Sequence, residues 1–321
     1  MHALVTGAAG FVGRLLTDAF RRDGIAVTAL ALDPPLSPPV GTVESFDAPV
    51  TWIYGDLRDS RYVAQVVGAE RFDLVVHLAA ISDLPTAESD PALAWDVNVT
   101  ATARLLHGIG GRRQRGDIDP TVLIVGSAEQ YGRHEELAAP LTEDTPLLPR
   151  TVYAATKVAQ ETLAFQQWRS TGLKVIATRS FNHSGPGQER RFVVPALVAR
   201  ALALRDAPAG GALSLGNITP IRDFLHVSDV VAAYISLCRR GTPGEAYNVA
   251  SGTGRSVQAI VEAVLARTGV QAQFAVDPAL VRPVDVPSLV GDSGKLQRAT
   301  GWRVTRSFED IIDDLIHATT L

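Results

Sequence analysis

The sequence predicts an α/β protein with a doubly wound parallel sheet followed by a smaller α/β lobe, and three observations carry that prediction. A short apolar strand pattern, Ala3-Leu4-Val5-Thr6, runs into Gly7-Ala8-Ala9-Gly10-Phe11-Val12-Gly13 and then into helix-periodic residues from Phe11 to Phe20. Strand-like and helix-like segments then alternate as far as Thr178. From Asn182 onward Gly and Pro become denser and the strand patterns shorten.

Taken in order, the first strand, glycine turn and helix are followed by a second apolar run, Ile25 to Leu32. Glycines at 7, 10 and 13 let the backbone turn tightly and approach a pyrophosphate, whose charge is met by free N–H groups at the positive end of a helix dipole. The plainer alternative is a turn that serves helix–strand packing alone. Further strands are predicted at Val50–Tyr54, Phe72–Leu78, Thr121–Val125 and Lys174–Thr178, with helices around Ser60–Val67, Asp96–Gly108 and Tyr153–Thr171. This is the Rossmann-type pattern, assigned to residues 1–180. Residues 181–321 are assigned to the second lobe, with Leu213–Leu215, Glu245–Val249 and Gln273–Val276 as its later strands and with the chain crossing between lobes. The proline-rich loop Asp33-Pro34-Pro35-Leu36-Ser37-Pro38-Pro39 follows the second strand, where an adenosine ribose would lie.

Composition narrows the function classes. At 321 residues, 46% hydrophobic and 20% charged, the chain can bury a large core across two lobes. Its single cysteine, Cys238, excludes an internal disulfide framework and a cysteine zinc cluster, and its helical context predicts a buried core residue; no metal site is expected. A net charge of −4 gives no electrostatic footprint for nucleic acid, and Arg112-Arg113-Gln114-Arg115 reads as a solvated helix end. No apolar run approaches the ~18 residues a membrane span needs, and Met1 leads straight into the first strand without a leader pattern, so a cytoplasmic location is expected.

The chemistry begins with Tyr153 and Lys157, which a helix brings to one face four residues apart. A free phenol titrates near ~10, and a cation within about 4–6 Å lowers that value, so the pair is predicted to exchange a proton with a sugar or alcohol oxygen. Taken alone, the spacing equally describes an amphipathic helix with an aromatic inward and a lysine in water.

Other residues join the pair in a fixed order: the glycine turn, Asp56 in Tyr-Gly-Asp-Leu-Arg-Asp, His77-Leu78-Ala79-Ala80, Asn98-Val99-Thr100, and Ser127 ahead of Glu129 and Tyr131-Gly132. Together with Tyr153 and Lys157, this set resembles the extended short-chain dehydrogenase/reductase family, in its epimerase/dehydratase division. Phe181-Asn182-His183-Ser184-Gly185-Pro186-Gly187-Gln188, Ile221-Arg222-Asp223-Phe224 and Arg282-Pro283-Val284-Asp285-Val286-Pro287 are most similar to the branch acting on GDP-hexoses, especially its 4-keto-6-deoxymannose reductases. The resemblance covers essentially the whole chain.

It implies Ser127, Tyr153 and Lys157 around a reacting carbonyl: Tyr153 donates the proton, Ser127 hydrogen-bonds the developing oxyanion, and Lys157 holds the ribose hydroxyls. Without Tyr153, Ser127 reads as a strand-end serine capping a turn. Glu129 matches the base of related 4,6-dehydratases but is shared by the reductases. The implied cofactor contacts are Gly7, Gly10, Phe11, Val12, Gly13, Asp56, Leu57, Leu78, Ala79, Ala80, Asn98, Tyr153, Lys157 and Phe181; the implied substrate contacts are Ser82, Asn182, Arg191, Arg222, Arg282 and Asp285. Two of these arginines have a plainer reading as surface ion pairs with Asp223 and Asp285, and His77, His183 and His226 read as structural histidines.

Departures from the family pattern are Thr151-Val152 for the usual Ser-Pro ahead of Tyr153, and Ala128 for a small hydroxyl residue. Ala31 stands where an acid would read the ribose, Asp33 follows two residues on, and no Lys or Arg occurs from Ala31 through Phe46, which favours NAD(H), while Arg14 at the helix start offers a cation for a 2′-phosphate; the cofactor is expected to be NAD or NADP. The implied reaction is NAD(P)H-dependent reduction of the C4 keto group of a nucleotide-linked 4-keto-6-deoxyhexose. The alternatives are a nucleotide-sugar 4-epimerase or 4,6-dehydratase with tightly bound NAD(P)⁺, or a non-catalytic dinucleotide-binding protein. The resemblance also implies a homodimer built through helices.

Overall fold

The structure, a computed structural model, describes residues 1–34, 48–134, 140–205, 212–280 and 286–320. The first lobe runs β1 (His2–Thr6), α1 (Phe11–Arg22), β2 (Ala26–Ala31), β3 (Val50–Tyr54), α2 (Ser60–Ala69), β4 (Leu74–His77), α3 (Leu84–Ser89), α4 (Pro91–Trp95), a π turn (Asp96–Thr100), α5 (Ala101–Gln114), β5 (Thr121–Ser127), a 3₁₀ turn (Ala128–Tyr131), α6 (Val152–Thr171) and β6 (Lys174–Ser180). The chain continues with β7 (Asn182–Ser184), α7 (Val193–Arg205), β8 (Ala212–Leu215), β9 (Ile221–His226), α8 (Val227–Arg240), β10 (Ala246–Val249), β11 (Gly254–Ser256), α9 (Val257–Thr268), β12 (Gln273–Val276), β13 (Ser288–Leu289), α10 (Gly294–Thr300) and α11 (Phe308–Thr320).

Seven parallel strands form the central sheet in the order β10-β6-β5-β4-β1-β2-β3. Neighbouring residues of a strand face opposite sides of a sheet, and here both sides are buried. Ala3, Val5, Val27, Ala29, Leu74 and Val76 pack on one face with Leu16 and Phe20 of α1 and Val230, Tyr234 and Leu237 of α8. Leu4, Val75, Val122, Ile124 and Val175 pack on the other with Val63 and Val67 of α2, Leu105 and Ile109 of α5, and Ala164 of α6. That two-sided burial is why these strands read as continuous apolar runs. After β1 the chain winds outward through β2 and β3, then returns to β4 on the other side of β1, so a crevice opens at the carboxyl ends of β1 and β4.

The second lobe is a small sheet, β11-β9-β13 with β7 also pairing β9, and a separate parallel pair, β12-β8. Val194, Leu197 and Val198 of α7, Ile260 and Val264 of α9, and Ile311 and Ile312 of α11 form its core with Leu213 and Phe224.

Two sequence expectations are corrected. The strand expected at Glu245–Val249 does not lie in the second lobe: β10 pairs with β6, Ala246 opposite Ala177 through Val249 opposite Ser180, and completes the central sheet. Its apolar pattern suits either sheet, and the pairing is decided by α8, whose buried residues cover the central strands. The helix expected from Asp96 opens with a π turn through Thr100, which rotates Asn98 fully inward before the α-helical register begins at Ala101. Most of the proline-rich loop, residues 35–39, lies outside the described residues.

Candidate active site

A cleft of about 1240 Å³ lies over the carboxyl ends of the central strands and is closed on its far side by the second lobe. Its floor begins where β1 ends. Gly7 has φ +69°, a conformation L side chains rarely adopt, and a Cβ there would lie 2.7 Å from the Ala79 amide nitrogen. At Gly13 a Cβ would lie 2.3 Å from the Gly7 carbonyl oxygen, so turn and helix can close together only on glycine. Gly10 is the N-cap of α1 and no side chain caps that helix, which leaves its first-turn amides to the cleft. A cradle of bare backbone at a helix N-terminus fits a dinucleotide pyrophosphate.

Phe11 and Val12 line the cleft beside the cradle, as do Leu57 after β3 and Leu78, Ala79, Ala80 and Ser82 after β4. Asp56 also lines it, and accepts from the Arg58 backbone nitrogen and Nε, both at 2.8 Å. That guanidinium holds the Asp56 carboxyl below its ordinary value. Asn98 is not on the cleft wall. It is fully buried, accepts from the Ile81 amide at 2.8 Å, and donates to the Ile81 carbonyl at 3.1 Å and to Thr156 Oγ1 at 2.9 Å, joining the loop after β4 to α6.

The reactive groups meet at the end of β5 and the first turns of α6. Thr151 caps α6 by accepting from the Ala154 amide at 3.1 Å, and Val152 donates its own amide to Glu88 Oε1 at 2.7 Å, a bond the family's usual proline could not make. Tyr153, Lys157, Ser127 and Glu129 all face the cleft. Ser127 Oγ accepts from the Glu129 amide at 3.2 Å, capping the 3₁₀ turn, and the serine side chain favours the Tyr153 phenolate. The capping reading of Ser127 holds.

Electrostatically the pair differs from the sequence expectation, in which Lys157 lowers the phenol. Burial dominates and raises Tyr153 above the ordinary phenol value; the Ser127 side chain opposes that rise, while the Glu129 and Tyr234 charges add to it. Lys157 is 4% exposed, its Nζ donates to the Val125 carbonyl at 2.9 Å and lies 5.9 Å from the Tyr153 ring centroid, and burial pushes it down to about 7. The phenol is protonated at neutral pH and, with its value raised, is a weaker acid than a free one.

His77 is structural: Nδ1 bonds Thr6 Oγ1 at 2.7 Å and Nε2 bonds Thr102 Oγ1 at 2.8 Å, and burial, aided by the Lys157 charge, pushes it down to about 3. His226 bonds Ser228 Oγ at 2.7 Å at the start of α8. His183 lines the cleft, bonds the Phe181 carbonyl at 3.0 Å and stacks on Phe11 at 6.2 Å. Cys238 is buried in the face covered by α8.

The second lobe lines the opposite wall with Asn182, Arg191 and Arg222; Phe181, at the junction, lines the cleft as well. Arg191 Nε pairs with Glu189 at 2.9 Å and its Nη1 lies 3.7 Å from Asp83, both half-exposed pairs of small energy. Asp223 is not the ion-pair partner of Arg222. Its buried carboxylate accepts from the Ser251 amide and hydroxyl at 2.8 and 2.6 Å and from the Gly252 amide at 2.9 Å, while Arg222 Nη1 donates to the Val286 carbonyl at 2.7 Å. Arg282 and Asp285 lie outside the described residues.

Sequence reasoning missed Arg58, Arg200 and Asn217 on the cleft wall, and Gln130 behind Ser127. Gln130 had a readable signal, since Ser127-x-x-Gln130 is a capping-box spacing. Arg200, which donates to the Ser214 carbonyl at 2.6 Å, had none. Among the described residues, no group of acidic, histidine or cysteine side chains could hold a metal ion, and no helix is long and apolar enough to cross a membrane.

Comparison with known proteins agrees with this architecture. A family model described as GDP-mannose 4,6 dehydratase matches residues 4–315. GDP-6-deoxy-D-mannose reductase of Pseudomonas aeruginosa is 32% identical over 246 residues, which are 75% of this chain and 80% of that protein. The structure of RMD from Pseudomonas aeruginosa complexed with NADPH superposes with a TM-score of 0.83 at 28% identity, covering 100% of this chain and 99% of the other. The UDP-glucose 4-epimerase of Thermus thermophilus in complex with NAD gives the same TM-score of 0.83, the same 28% identity and the same coverage, 100% and 99%. With nearly its whole length matched and its glycine cradle suited to a dinucleotide, the chain belongs to the GDP-mannose 4,6-dehydratase family, within the extended short-chain dehydrogenases/reductases that use NAD or NADP.

Proposed function

We propose that this protein reduces the C4 keto group of a nucleotide-linked 4-keto-6-deoxyhexose, with GDP as the nucleotide, at the expense of NAD(P)H. The observation that best supports the reading is the placement of Tyr153: its phenol faces, together with Ser127 and Lys157, a cleft with a dinucleotide cradle at one end. The glycine cradle would hold a nicotinamide cofactor, whose chemistry there would be hydride donation. Tyr153 gives its proton to the carbonyl oxygen, and Ser127 Oγ hydrogen-bonds that oxygen as negative charge builds on it. Lys157 binds the cofactor's ribose hydroxyls. Because its charge is costly in so buried a position, ammonium-accepting oxygens there raise its proton affinity again.

The substrate's diphosphate needs cations on the opposite wall, and Arg191 and Arg222 line it; Asn182 lies with them and Ser82 faces them from the first lobe. Arg282 and Asp285 enter this proposal from the sequence alone. The 32% identical reductase of Pseudomonas aeruginosa supports GDP and the reductive direction.

Glu129 fits a second reading as well as the first. Its carboxylate acts on the Tyr153 phenol electrostatically from within the same cleft, the arrangement a 4,6-dehydratase needs to withdraw the sugar's C5 proton. The two readings separate on cofactor bookkeeping. A reductase consumes one NAD(P)H per sugar, whereas a dehydratase or epimerase returns its cofactor to NAD(P)⁺ in every cycle. Incubation of purified protein with nucleotide sugars and their 4-keto-6-deoxy forms, with and without NAD(P)H, tests the proposal, with products identified by mass spectrometry and NMR. Stoichiometric NAD(P)H oxidation with the 4-keto sugars supports reduction; conversion without added NAD(P)H overturns it.

A further inference from the structure

Ser127 and Tyr153 sit on different elements, one at the end of β5 and one in the first turn of α6, yet both must meet the same carbonyl oxygen for the proposed proton transfer. A buried polar chain joins the two elements behind the cleft. Gln130 is fully buried; its Oε1 accepts from the Ser127 amide at 2.8 Å, and its Nε2 donates to Glu161 Oε2 at 3.0 Å. Glu161 stands one turn beyond Lys157 on α6. Arg179 of β6 holds Glu161 with two bonds, Nε to Oε2 at 3.0 Å and Nη2 to Oε1 at 2.7 Å. Gly126 makes the room: a Cβ there would lie 2.4 Å from Gln130 Oε1.

A buried side chain needed only for packing would be better apolar, because every polar atom placed here must find a partner. Gln130 instead has both ends of its amide engaged, one on the serine's own backbone and one on the helix that bears Tyr153 and Lys157. We infer that Gln130 is a positioning residue, whose amide sets the distance between Ser127 and Tyr153 by tying the Ser127 backbone to Glu161 on α6. The inference rests on the proposed proton transfer for its effect on rate, but the tie itself exists without substrate. Misplacement of a reacting group by an ångström costs on the order of 10²-fold in rate, so loss of the tie should be visible in kcat.

The test compares wild type with Gln130→Met, Gln130→Glu and the exchange variant Gln130→Glu/Glu161→Gln, using full-length protein. Gln130→Met keeps the volume and removes both bonds. Gln130→Glu keeps the acceptor for Ser127 but faces Glu161 with a second carboxylate, and serves if the methionine variant does not fold. The exchange variant restores a donor–acceptor pair at unchanged net charge. Two readouts are taken: steady-state kinetics per cofactor-binding site, and amide hydrogen exchange at Ser127 in the absence of substrate. Expected for Gln130→Met are exchange at Ser127 faster by about tenfold or more and kcat lower by about 10–100-fold with KM nearly unchanged. Gln130→Glu falls short of wild type in both, and the exchange variant recovers part of the loss, because Glu161→Gln also gives up one of the two Arg179 bonds. Faster exchange with unchanged kcat overturns the positioning role; unchanged exchange overturns the tie. Wild type that does not reduce the keto sugar but shows Gln130-dependent protection overturns the proposed reaction while supporting the tie, and the kcat comparison is then read on the reaction the wild type does catalyse.

Discussion

At Tyr153 two influences oppose each other: burial favours the neutral phenol, and the Ser127 hydroxyl favours the phenolate. Tyr153 is the group proposed to give the proton, so Tyr153→Phe should lower kcat by about 10²–10⁴-fold while leaving nucleotide-sugar binding nearly unchanged. Steady-state kinetics check this; an unaltered kcat would remove Tyr153 from the chemistry. Lys157 can be tested without any substrate. Its folded value is about 7 against an ordinary 10.5, so between those limits the unfolded chain holds a proton that the folded chain has released. Stability therefore rises with pH across that window, with no further change from this group below about pH 7. In urea titrations of the cofactor-free protein, wild type should gain on Lys157→Met by a few kcal/mol, to order of magnitude, between about pH 7 and pH 10. Parallel stability curves would contradict the buried, depressed lysine. The Tyr-Lys spacing and Ser127 were legible in the sequence as residue types in order. Their electrostatics were not, because helical spacing reveals that two side chains share a face but not how deeply that face is buried, and depth is what reversed the expected shift of Tyr153.

Among the elements, those with one dominant local signal were the most readable. Val50–Tyr54 runs between the predicted limits, and the turn from β1 to α1 follows from three glycines. Gly7 tests that turn: Gly7→Ala forces an L side chain into φ +69° with its Cβ against the Ala79 amide. Strain of this kind costs on the order of 1–3 kcal/mol. Affinity for NAD(P)H should fall by about tenfold or more, measured by fluorescence titration, because the cradle can accommodate the Cβ only by opening. Equal affinity in the variant would detach the cradle from cofactor binding. The π turn at Asp96–Thr100 was not legible, since nothing in Asp-Val-Asn-Val-Thr marks an extra residue in the turn. Its consequence is Asn98, read as a cofactor contact and found instead tying the β4 loop to Thr156. Gln130 was hidden for a related reason: the capping-box spacing was present, but its second partner, Glu161, lies 31 residues away in sequence.

For the whole molecule, the alternation of strands and helices was enough to specify a two-faced parallel sheet, because burial on both faces demands uninterrupted apolar runs. Long-range pairing was less legible. β10 resembles any short apolar strand, and only the packing of α8 against α1 and the central strands assigns it to the large sheet. The cleft between the lobes followed from that arrangement: it brings Ser127, Glu129, Tyr153 and Lys157 to one wall and Asn182, Arg191 and Arg222 to the other, although these residues are scattered across most of the chain. What that cleft does to a sugar decides the proposed function. The most direct measurement mixes the purified protein with a GDP-linked 4-keto-6-deoxyhexose and NAD(P)H, following cofactor oxidation and the product by NMR. One NAD(P)H consumed for each sugar, with a hydroxyl at C4 of the product, is the result predicted. A protein that carries bound NAD(P)⁺ from purification and converts nucleotide sugars with no NAD(P)H added would contradict the proposed reduction.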